Sequence, residues 1–427
     1  MRAKNLLSDM EKGCQEAALI KIESAWQACL SQRLNISIER GIPSPAQLSL
    51  SQELLDAPLP GAYYDAEGTE CRNYGAQQGI LPLRELFGTL MGLPADQVIS
   101  HGSSSLSLMY DSIAWAVRHG VPGGMKPWSE DKKAAFICVV PGYDRHFAIC
   151  EAFGLRMIVV PMLRDGPDMK AVMDICRKDA SVKGIWCVPK YSNPTGTVYS
   201  DSVVKELASM ETAAPDFRIF WDNAYCVHPL AEQDTPLADI YAACIQADHP
   251  DRVLMFSSTS KMTLPGAGIA VLGSSAANTQ WWLKHASVKS VGPDKVNQLR
   301  QVRFLKNADN IRKLMEQHRL ILKPKFDMVN TVFESVLGQQ TLISWSRPDG
   351  GYFVSLHVVP GTARRIVELA AQAGVRFAKP GSCFPFMLDP DDAQLRIAPS
   401  YPELKELEKA LNVIAVSIAR ATADKLR

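Results

Sequence analysis

The sequence predicts an α/β protein in which a mostly parallel sheet lies between helices, joined to a smaller α+β domain. Five short apolar runs recur between residues 135 and 257: AFICVV, RMIVVP, GIWCVP, RIFWD and RVLMFS. Amphipathic stretches of helical length separate most of them, over residues 143–153, 169–180 and 201–213. Continuous apolar strands that alternate with helices are typical of a parallel sheet buried on both faces.

The flanking regions have a different pattern. The first thirty residues are predicted to form a helix, and a segment rich in Gly, Pro and Ser over 35–75 is predicted to be irregular. Beyond the sheet we expect one long helix at 295–336, a few strands near 341–357 and two further helices. The predicted division is therefore an N-terminal helix and segment over 1–60 that packs on the small domain, a large ligand-binding domain over 61–300 and a small α+β domain over 301–427.

Composition excludes several classes of partner. The chain has 427 residues, with 46 Lys and Arg against 45 Asp and Glu. Its net charge of +1 gives no strong positive potential that would attract nucleic acid or an anionic membrane. No stretch reaches the roughly 18 apolar residues that a membrane helix needs. The N-terminus carries charges and resembles no secretory signal. We therefore expect a cytoplasmic protein with no nucleic-acid and no membrane partner.

Cysteine and histidine spacing argues against a metal site. The ten cysteines are scattered without a CxxC pair, and the eight histidines show no HxxxH spacing. Zinc sites and disulfide frameworks both need closer or more regular spacing than this. We predict no metal, and we interpret His146 and His228, which lie near the motifs below, as structural.

A serine-rich turn follows the first strand-like segment of the large domain. In VISHGSSSLSLMYD, Ser103, Ser104 and Ser105 stand between a short strand and a helical pattern. Free backbone N–H groups at a helix start, together with hydroxyls, suit a phosphate. The alternative is an ordinary serine N-cap with no ligand.

Ring-binding and carboxylate side chains follow three more strands. Tyr143 in PGYDRHF could stack on a flat ligand or simply pack in the core. Asn193 lies in a Pro-Gly turn after GIWCVP, with polar atoms free to bind. Asp222 ends RIFWD, three residues before Tyr225. A carboxylate there is costly without a partner such as a protonated nitrogen, although it could instead cap the next helix.

Lys261 follows the last apolar run and a series of Ser and Thr residues, ahead of a Gly- and Pro-rich bend. Partial burial would disfavour its ammonium form and make it a competent amine nucleophile, whereas most lysines are merely solvated. Together these segments describe one ligand with a phosphate, a flat ring, a ring nitrogen held by a carboxylate, and a carbonyl that accepts an amine. That ligand is pyridoxal 5′-phosphate.

With these motifs the sequence resembles the fold-type I pyridoxal-phosphate enzymes of the class I/II aminotransferase superfamily. It is most similar to the bacterial aspartate aminotransferase branch, through RNYG, PGYDRHF, VPKYSNPTG, WDNAY, STSK, GPDKVNQLRQVRFL and RIAPSYP. The resemblance covers nearly the whole chain. It implies a large domain with a mostly parallel seven-stranded sheet, and a homodimer whose active sites are shared between subunits.

The resemblance also implies a role for each matching residue. Lys261 would form the aldimine, Asp222 would pair with the ring nitrogen, and Tyr225 and Asn193 would bind the ring oxygen. Tyr143 would stack on the ring, and the phosphate would be bound by Ser103, Ser104, Ser105 and Ser258. Arg396 would bind the substrate carboxylate, and the segment of Gly41 would close over the substrate. Tyr74 would reach across the dimer interface to the cofactor, and Asn297 would reach across it to the substrate.

Two positions depart from the family pattern. More distant relatives place an arginine in the bend after the lysine to bind the phosphate, but this chain has Gly268 at about that position. Lys295, Arg300 or Arg303 could supply the charge instead. Close members of the branch read RGKP where this chain reads RGIP, so Ile42 replaces a cation near the substrate side chain.

Three hypotheses of function follow. The leading one is an aminotransferase that passes the amine of an L-amino acid, aspartate-type in this branch, to a 2-oxo acid. The second keeps the cofactor but changes the reaction to elimination, replacement or carbon–carbon bond formation on an activated amino acid such as S-adenosylmethionine. The third is a non-catalytic regulatory domain, which the absence of a basic surplus disfavours.

Overall fold

The fold is described by a computed structural model over residues 12–56, 62–338 and 342–426. The first eleven residues of the predicted N-terminal helix and the predicted boundary between residues 60 and 61 lie outside the described residues. Among the described residues, no helix combines the length and the apolar character needed to cross a bilayer.

A central sheet of eight strands has the order β2-β9-β8-β7-β6-β3-β4-β5. The strands are β2 (Val98–Ser100), β3 (Ala135–Val140), β4 (Arg156–Leu163), β5 (Gly166–Pro167), β6 (Val182–Cys187), β7 (Arg218–Asp222), β8 (Val253–Ser258) and β9 (Ala270–Gly273). The pairs from β4 through β3, β6 and β7 to β8 are parallel, whereas β2, β5 and β9 pair antiparallel. The mostly parallel sheet is confirmed.

The predicted count of seven strands is wrong by one. The additional strand is β5, which pairs only with Met162 and Leu163 of β4. A two-residue Gly-Pro strand has no apolar run or alternation, so periodicity could not reveal it.

Helices cover both faces of this sheet. They are α4 (Leu81–Met91), α5 (Ser105–His119), α6 (Asp144–Ala152), α7 (Met169–Lys178), α8 (Asp201–Ser209), α9 (Ile240–Gln246), α10 (Ala276–Lys289) and α11 (Lys295–Leu305). Alternate residues of β3 enter two different apolar clusters, Ile137 on one face and Phe136 and Cys138 on the other. Burial on both faces explains why the strand sequences are continuously apolar.

The predicted single helix over 295–336 is two helices. α11 ends at Leu305 and α12 (Ala308–Leu337) begins after Asn307, whose side chain accepts a hydrogen bond from the Asn310 backbone N–H. Between them Lys306 has a φ of 60°, in the left-handed region. The left-handed Lys306 ends the first helix, and the Asn307 cap starts the second.

The C-terminal part contains a small antiparallel sheet and two more helices. Its remaining elements are β10 (Ser344–Trp345), β11 (Val354–His357), α13 (Ala363–Gln372), β12 (Val375–Arg376), β13 (Gln394–Ile397) and α14 (Leu404–Leu426), with β11 between β10 and β13. α1 (Lys12–Ser31) packs on α14, where Arg420 bonds Glu23 at 3.1 Å. The division of the chain into three parts stays a prediction.

The segment predicted to be irregular contains regular structure. It holds β1 (Ile36–Ser37), which pairs with β12, and the short helices α2 (Pro45–Ser49) and α3 (Glu53–Asp56). α2 begins with a capping box formed by Ser44 and Gln47, with proline at its first turn. These are recognised helix-start signals, and the prediction overlooked them among the Gly and Pro residues.

Candidate active site

A cavity of about 610 Å³ opens at the C-terminal ends of the parallel strands β3, β6, β7 and β8. Ligands of open α/β sheets bind at this edge. Residues of the C-terminal part, including Phe353 and Arg396, form the opposite wall. The predicted site residues that line the cavity are Gly41, Ser104, Ser105, Tyr143, Asn193, Asp222, Tyr225, Ser258, Lys261 and Arg396.

Asp222 lies at the base of the cavity with an incomplete set of partners. The residue is 3% exposed, and its Oδ2 lies 3.1 Å from Nε2 of His146. Its Oδ1 is buried and has no hydrogen-bond partner among the described residues. A buried carboxylate oxygen without a donor is costly, so the site suits a ligand that brings an N–H group.

His146 is a residue whose site contact the sequence analysis missed. Its ring stacks on Trp186 with 4.4 Å between centroids, and Tyr143 packs against its edge. The contact with Asp222 orients that carboxylate. A signal was present, because His146 follows Tyr143 by three residues and so lies in the first turn of the same helix.

Lys261 extends from the turn after β8, and its Nζ lies 5.4 Å from the ring centroid of Tyr225. Burial lowers the pKa of Lys261 from its ordinary value, and the charge of Asp222 opposes that shift. Loss of solvation disfavours the ammonium form, which leaves more free amine at neutral pH. Burial also raises the pKa of the Tyr225 phenol well above its usual value, so Tyr225 stays protonated and can donate.

Arg396 extends into the cavity from β13. Its Nη1 donates to Oδ1 of Asn193 at 3.3 Å and lies 3.6 Å from Oδ1 of Asp144. Its guanidinium carbon lies 4.9 Å from the ring centroid of Phe353, and its Nε is buried with no partner among the described residues. The guanidinium therefore keeps unused donors for a carboxylate ligand.

The serine turn is both a helix cap and a wall of the cavity. Ser104 caps α5, because its Oγ accepts from the Leu106 backbone N–H at 3.3 Å. Ser104, Ser105, Ser258 and Ser260 line one side of the cavity. Hydroxyls beside the N-terminus of a fifteen-residue helix have the chemistry to hold a phosphate. Ser103 is not among the lining residues.

Gly268 is explained by its close approach to the serine turn. A Cβ at this position would lie 2.9 Å from the Ser103 carbonyl oxygen, which is too close for any side chain. The three proposed replacements for an arginine here do not line the cavity among the described residues. Lys295 donates to the Gly75 carbonyl and Arg303 to the Ala62 carbonyl, and the buried Arg300 Nε has no hydrogen-bond partner in the part of the chain that the structure describes.

Two other predicted site residues lie outside this cavity. Tyr74 is 82% exposed and borders a separate surface hollow with residues 291–296. Asn297 donates to the backbone carbonyls of Ala267 and Gly268 at 3.1 Å. The prediction assigns both residues to a dimer interface, where they would serve the second subunit.

Comparisons with known proteins show the family of the chain. The family model described as aspartate amino-transferase matches residues 10–427. The chain belongs to this family. It is 44% identical over 403 residues to an aspartate aminotransferase of Corynebacterium glutamicum, which covers 94% of this chain and 93% of that protein. It is also 46% identical over 398 residues to a Mycolicibacterium smegmatis protein named as an aminotransferase, with 93% of each chain covered.

Solved structures extend the family resemblance to the fold. A crystal structure of a Corynebacterium glutamicum aspartate transaminase superposes with a TM-score of 0.96 at 42% identity, covering 99% of this chain and all of that one. An α-aminoadipate aminotransferase from Thermus thermophilus, complexed with a phosphopyridoxyl-leucine, shares the fold with a TM-score of 0.74 at 19% identity. The chain is therefore a fold-type I transferase of the aminotransferase type, a family whose cofactor is pyridoxal 5′-phosphate.

Arg396 offers a direct test of carboxylate recognition in this family member. Arg396→Lys keeps the charge but loses the planar fork, so we expect KM for an amino-acid substrate to rise about 10- to 100-fold. Steady-state kinetics would measure it, with Arg376→Lys, an exposed arginine on β12, as the control. An unchanged KM in Arg396→Lys would contradict the assignment.

Proposed function

We propose that this protein is an aminotransferase that takes the amine from an L-amino acid of the aspartate type and passes it to a 2-oxo acid. The observation that carries the proposal is the pairing of Lys261, an amine with a lowered pKa, with Asp222, a buried carboxylate whose Oδ1 has no partner among the described residues. Both line one cavity. An enzyme that moves amines between carbonyl compounds needs both groups.

The residues present fit the cofactor. When bound, pyridoxal phosphate supplies an electron sink for the charge that develops at the substrate α-carbon. Asp222 would hold the protonated ring nitrogen, with His146 fixing the carboxylate. Tyr143 would cover one ring face, and Tyr225 and Asn193 would donate to the ring oxygen. Ser104, Ser105 and Ser258 would bind the phosphate.

Substrate handling falls to three groups of the chain. Arg396 would hold the α-carboxylate with those of its guanidinium N–H groups that do not contact Asn193 or Asp144. Lys261 would move the proton at the α-carbon, because its lowered pKa leaves an amine able to accept that proton. Gly41 would close the cavity, since a Cβ there would come 2.7 Å from the Phe353 ring and so prevent close approach.

A second candidate function rests on the mouth of the cavity. Ile42, Phe384, Phe386 and Met387 line it, where the branch places a lysine at residue 42. Phe386 and Met387 have φ of 56° and 58°, a rare backbone conformation for bulky residues that tends to occur at ligand-binding sites. These four apolar side chains favour a larger activated amino acid such as S-adenosylmethionine, with elimination, replacement or ring closure as the reaction.

The assembly and location are part of the proposal. We infer a homodimer, in which Tyr74 and Asn297 of each subunit would complete the other's cavity. The exposed Tyr74, Val288 and Val291 support a covered surface there. The reducing cytoplasm is the expected compartment, as the cysteine pattern predicts, and small amino and 2-oxo acids are the expected partners.

One experiment separates these functions. Purified holoenzyme is titrated with L-aspartate, L-glutamate and S-adenosylmethionine in turn, and its visible absorbance is recorded. We expect the band to bleach to the pyridoxamine form with a dicarboxylic amino acid and to return with a 2-oxo acid. A response to S-adenosylmethionine alone, with a released leaving group, would favour the second candidate. Absence of any band after cofactor is supplied would reject both.

A further inference from the structure

A buried polar side chain outside the cavity connects the N-terminal segment to the surroundings of Lys261. Gln47 on α2 is completely buried. Its Oε1 accepts from the Ser44 backbone N–H at 3.1 Å. Its Nε2 donates to the Tyr352 hydroxyl at 2.8 Å and lies 3.0 Å from Nδ1 of His318. All of its amide hydrogens are therefore used.

The amide orientation fixes the tautomer of His318. Exchanging the amide oxygen and nitrogen of Gln47 would place an N–H group against the Ser44 backbone N–H, so the orientation has no alternative. Gln47 thus donates to His318 Nδ1, and the opposite nitrogen, Nε2, lies 3.0 Å from the Met262 carbonyl oxygen. His318 must then be neutral, with its proton on Nε2. Burial lowers the pKa of His318 to about 4, in agreement.

Both ends of this network reach functional parts of the cavity. Met262 follows Lys261 directly, and the Tyr352 ring centroid lies 5.9 Å from the Lys261 Nζ. On the other side, Ser44 follows the segment of Gly41 and Ile42 that lines the cavity mouth. The Ile42 carbonyl accepts from the Ser400 hydroxyl at 2.8 Å. The mouth segment and the lysine turn are therefore joined by hydrogen bonds through Gln47 and His318.

We propose that Gln47 and His318 are positioning residues that set the Lys261 turn relative to the segment closing over substrate. The inference rests on the proposed role of Lys261. A neutral imidazole is required, because protonation of Nδ1 would place an N–H group against the Gln47 amide donor and break the hydrogen bond between the two side chains. The polar atoms of the Gln47 side chain and both ring nitrogens of His318 all have partners, so the network favours one geometry for both segments.

Two amide substitutions separate positioning from simple stabilisation. His318→Gln can place its amide near the former Nε2 and keep a donor for the Met262 carbonyl. His318→Asn places its amide near the former Nδ1 and loses that donor. Both remove the imidazole from the same buried site, so their losses of stability should be similar. Asn278→Ala, which removes a buried side chain bonded to the Asp251 carbonyl beyond the far end of β8, controls for destabilisation alone.

The main measurement is the pH titration of the holoenzyme's visible band, together with kcat and KM. We expect His318→Asn to change the apparent acid dissociation constant of the visible band by at least about threefold. It should also lower kcat about 10- to 100-fold, since a small displacement of a catalytic group is costly. His318→Gln should recover most of both, and Asn278→Ala should change neither. If His318→Asn loses stability but keeps the wild-type titration and kcat, the proposal is overturned.

A second variant and a second readout cover the remaining outcomes. If His318→Asn does not fold, Gln47→Met cuts the network from the other side and should cause the same shift; a wild-type titration there rejects the proposal. Nitrogen NMR of histidines in the cofactor-free protein should show His318 neutral and protonated on Nε2 at pH 6. The opposite tautomer would reject the network, whereas a wild-type holoenzyme without a visible band would reject the proposed function instead.

Discussion

Lys261→Ala is expected to lower kcat for transamination by about 10⁴-fold or more, with the folded structure retained. The substitution removes both the amine that would bind the cofactor's aldehyde and the base that would move the substrate proton, and a positioned base alone contributes up to about 10⁴-fold. Lys261 is partly buried, and the Asp222 carboxylate that interacts with its charge keeps its contact with His146 when Lys261 is removed, so we expect the fold to be retained. Single-turnover kinetics with cofactor supplied would measure the effect.

The control for this prediction is Lys284→Ala, which removes an exposed lysine from α10. It should leave kcat unchanged. Adding a small primary amine to Lys261→Ala should restore part of the rate, because a free amine can enter the open cavity and serve as the missing base. Wild-type turnover in Lys261→Ala would exclude the proposed mechanism, whatever the behaviour of the control.

Asp222→Asn is expected to lower kcat by about 10²- to 10³-fold, comparable to removal of a preorganised charge from other active sites. A neutral amide would keep the shape of the carboxylate and a contact with His146, but could not stabilise a protonated ring nitrogen. Substrate binding through Arg396 is untouched, so KM should change much less than kcat. Steady-state kinetics and the visible spectrum would report the two effects.

A matched control for Asp222→Asn lies just before β7, the strand that ends at Asp222. Asp216 is also buried, and its carboxylate accepts from Lys183 at 3.1 Å and from Trp128 at 2.9 Å. Asp216→Asn should reduce stability because it leaves the buried Lys183 charge unpaired, yet kcat should remain near wild type. Equal losses of kcat in the two variants would show that Asp222 acts through folding alone.

Much of the fold could be predicted because the parallel strands are buried on both faces. Strands β3, β6, β7 and β8 are buried along their whole length, have largely apolar sequences and alternate with helices, which is a strong local signal. The errors have local causes as well. β5 is too short to show a pattern, and the break between α11 and α12 depends on one left-handed residue, Lys306.

From the residues themselves, the candidate site was predictable where reactive side chains follow a strand end, whereas Gly41 and Arg396 were predicted from the family resemblance. Lys261, Asp222 and Asn193 were found because each stands just beyond an apolar run, at the edge where ligands bind. Gln47 and His318 were missed because they stand 271 residues apart in the sequence and meet only after folding. No spacing rule relates an amide on α2 to an imidazole on α12.

The pairing of β2 with β9 has a consequence for the order in which the segments around the cavity fold. Val98 lies opposite Gly273, so the turn carrying Ser104 and Ser105 depends on a contact between segments remote in sequence. The β8–β9 hairpin that carries Lys261 is local by comparison. Contacts of large sequence separation are slow to form, because a long loop must close before they contribute. On refolding of the full chain, we therefore expect the turn of Lys261 to form before the turn of Ser104 and Ser105 is fixed by the pairing of β2 with β9.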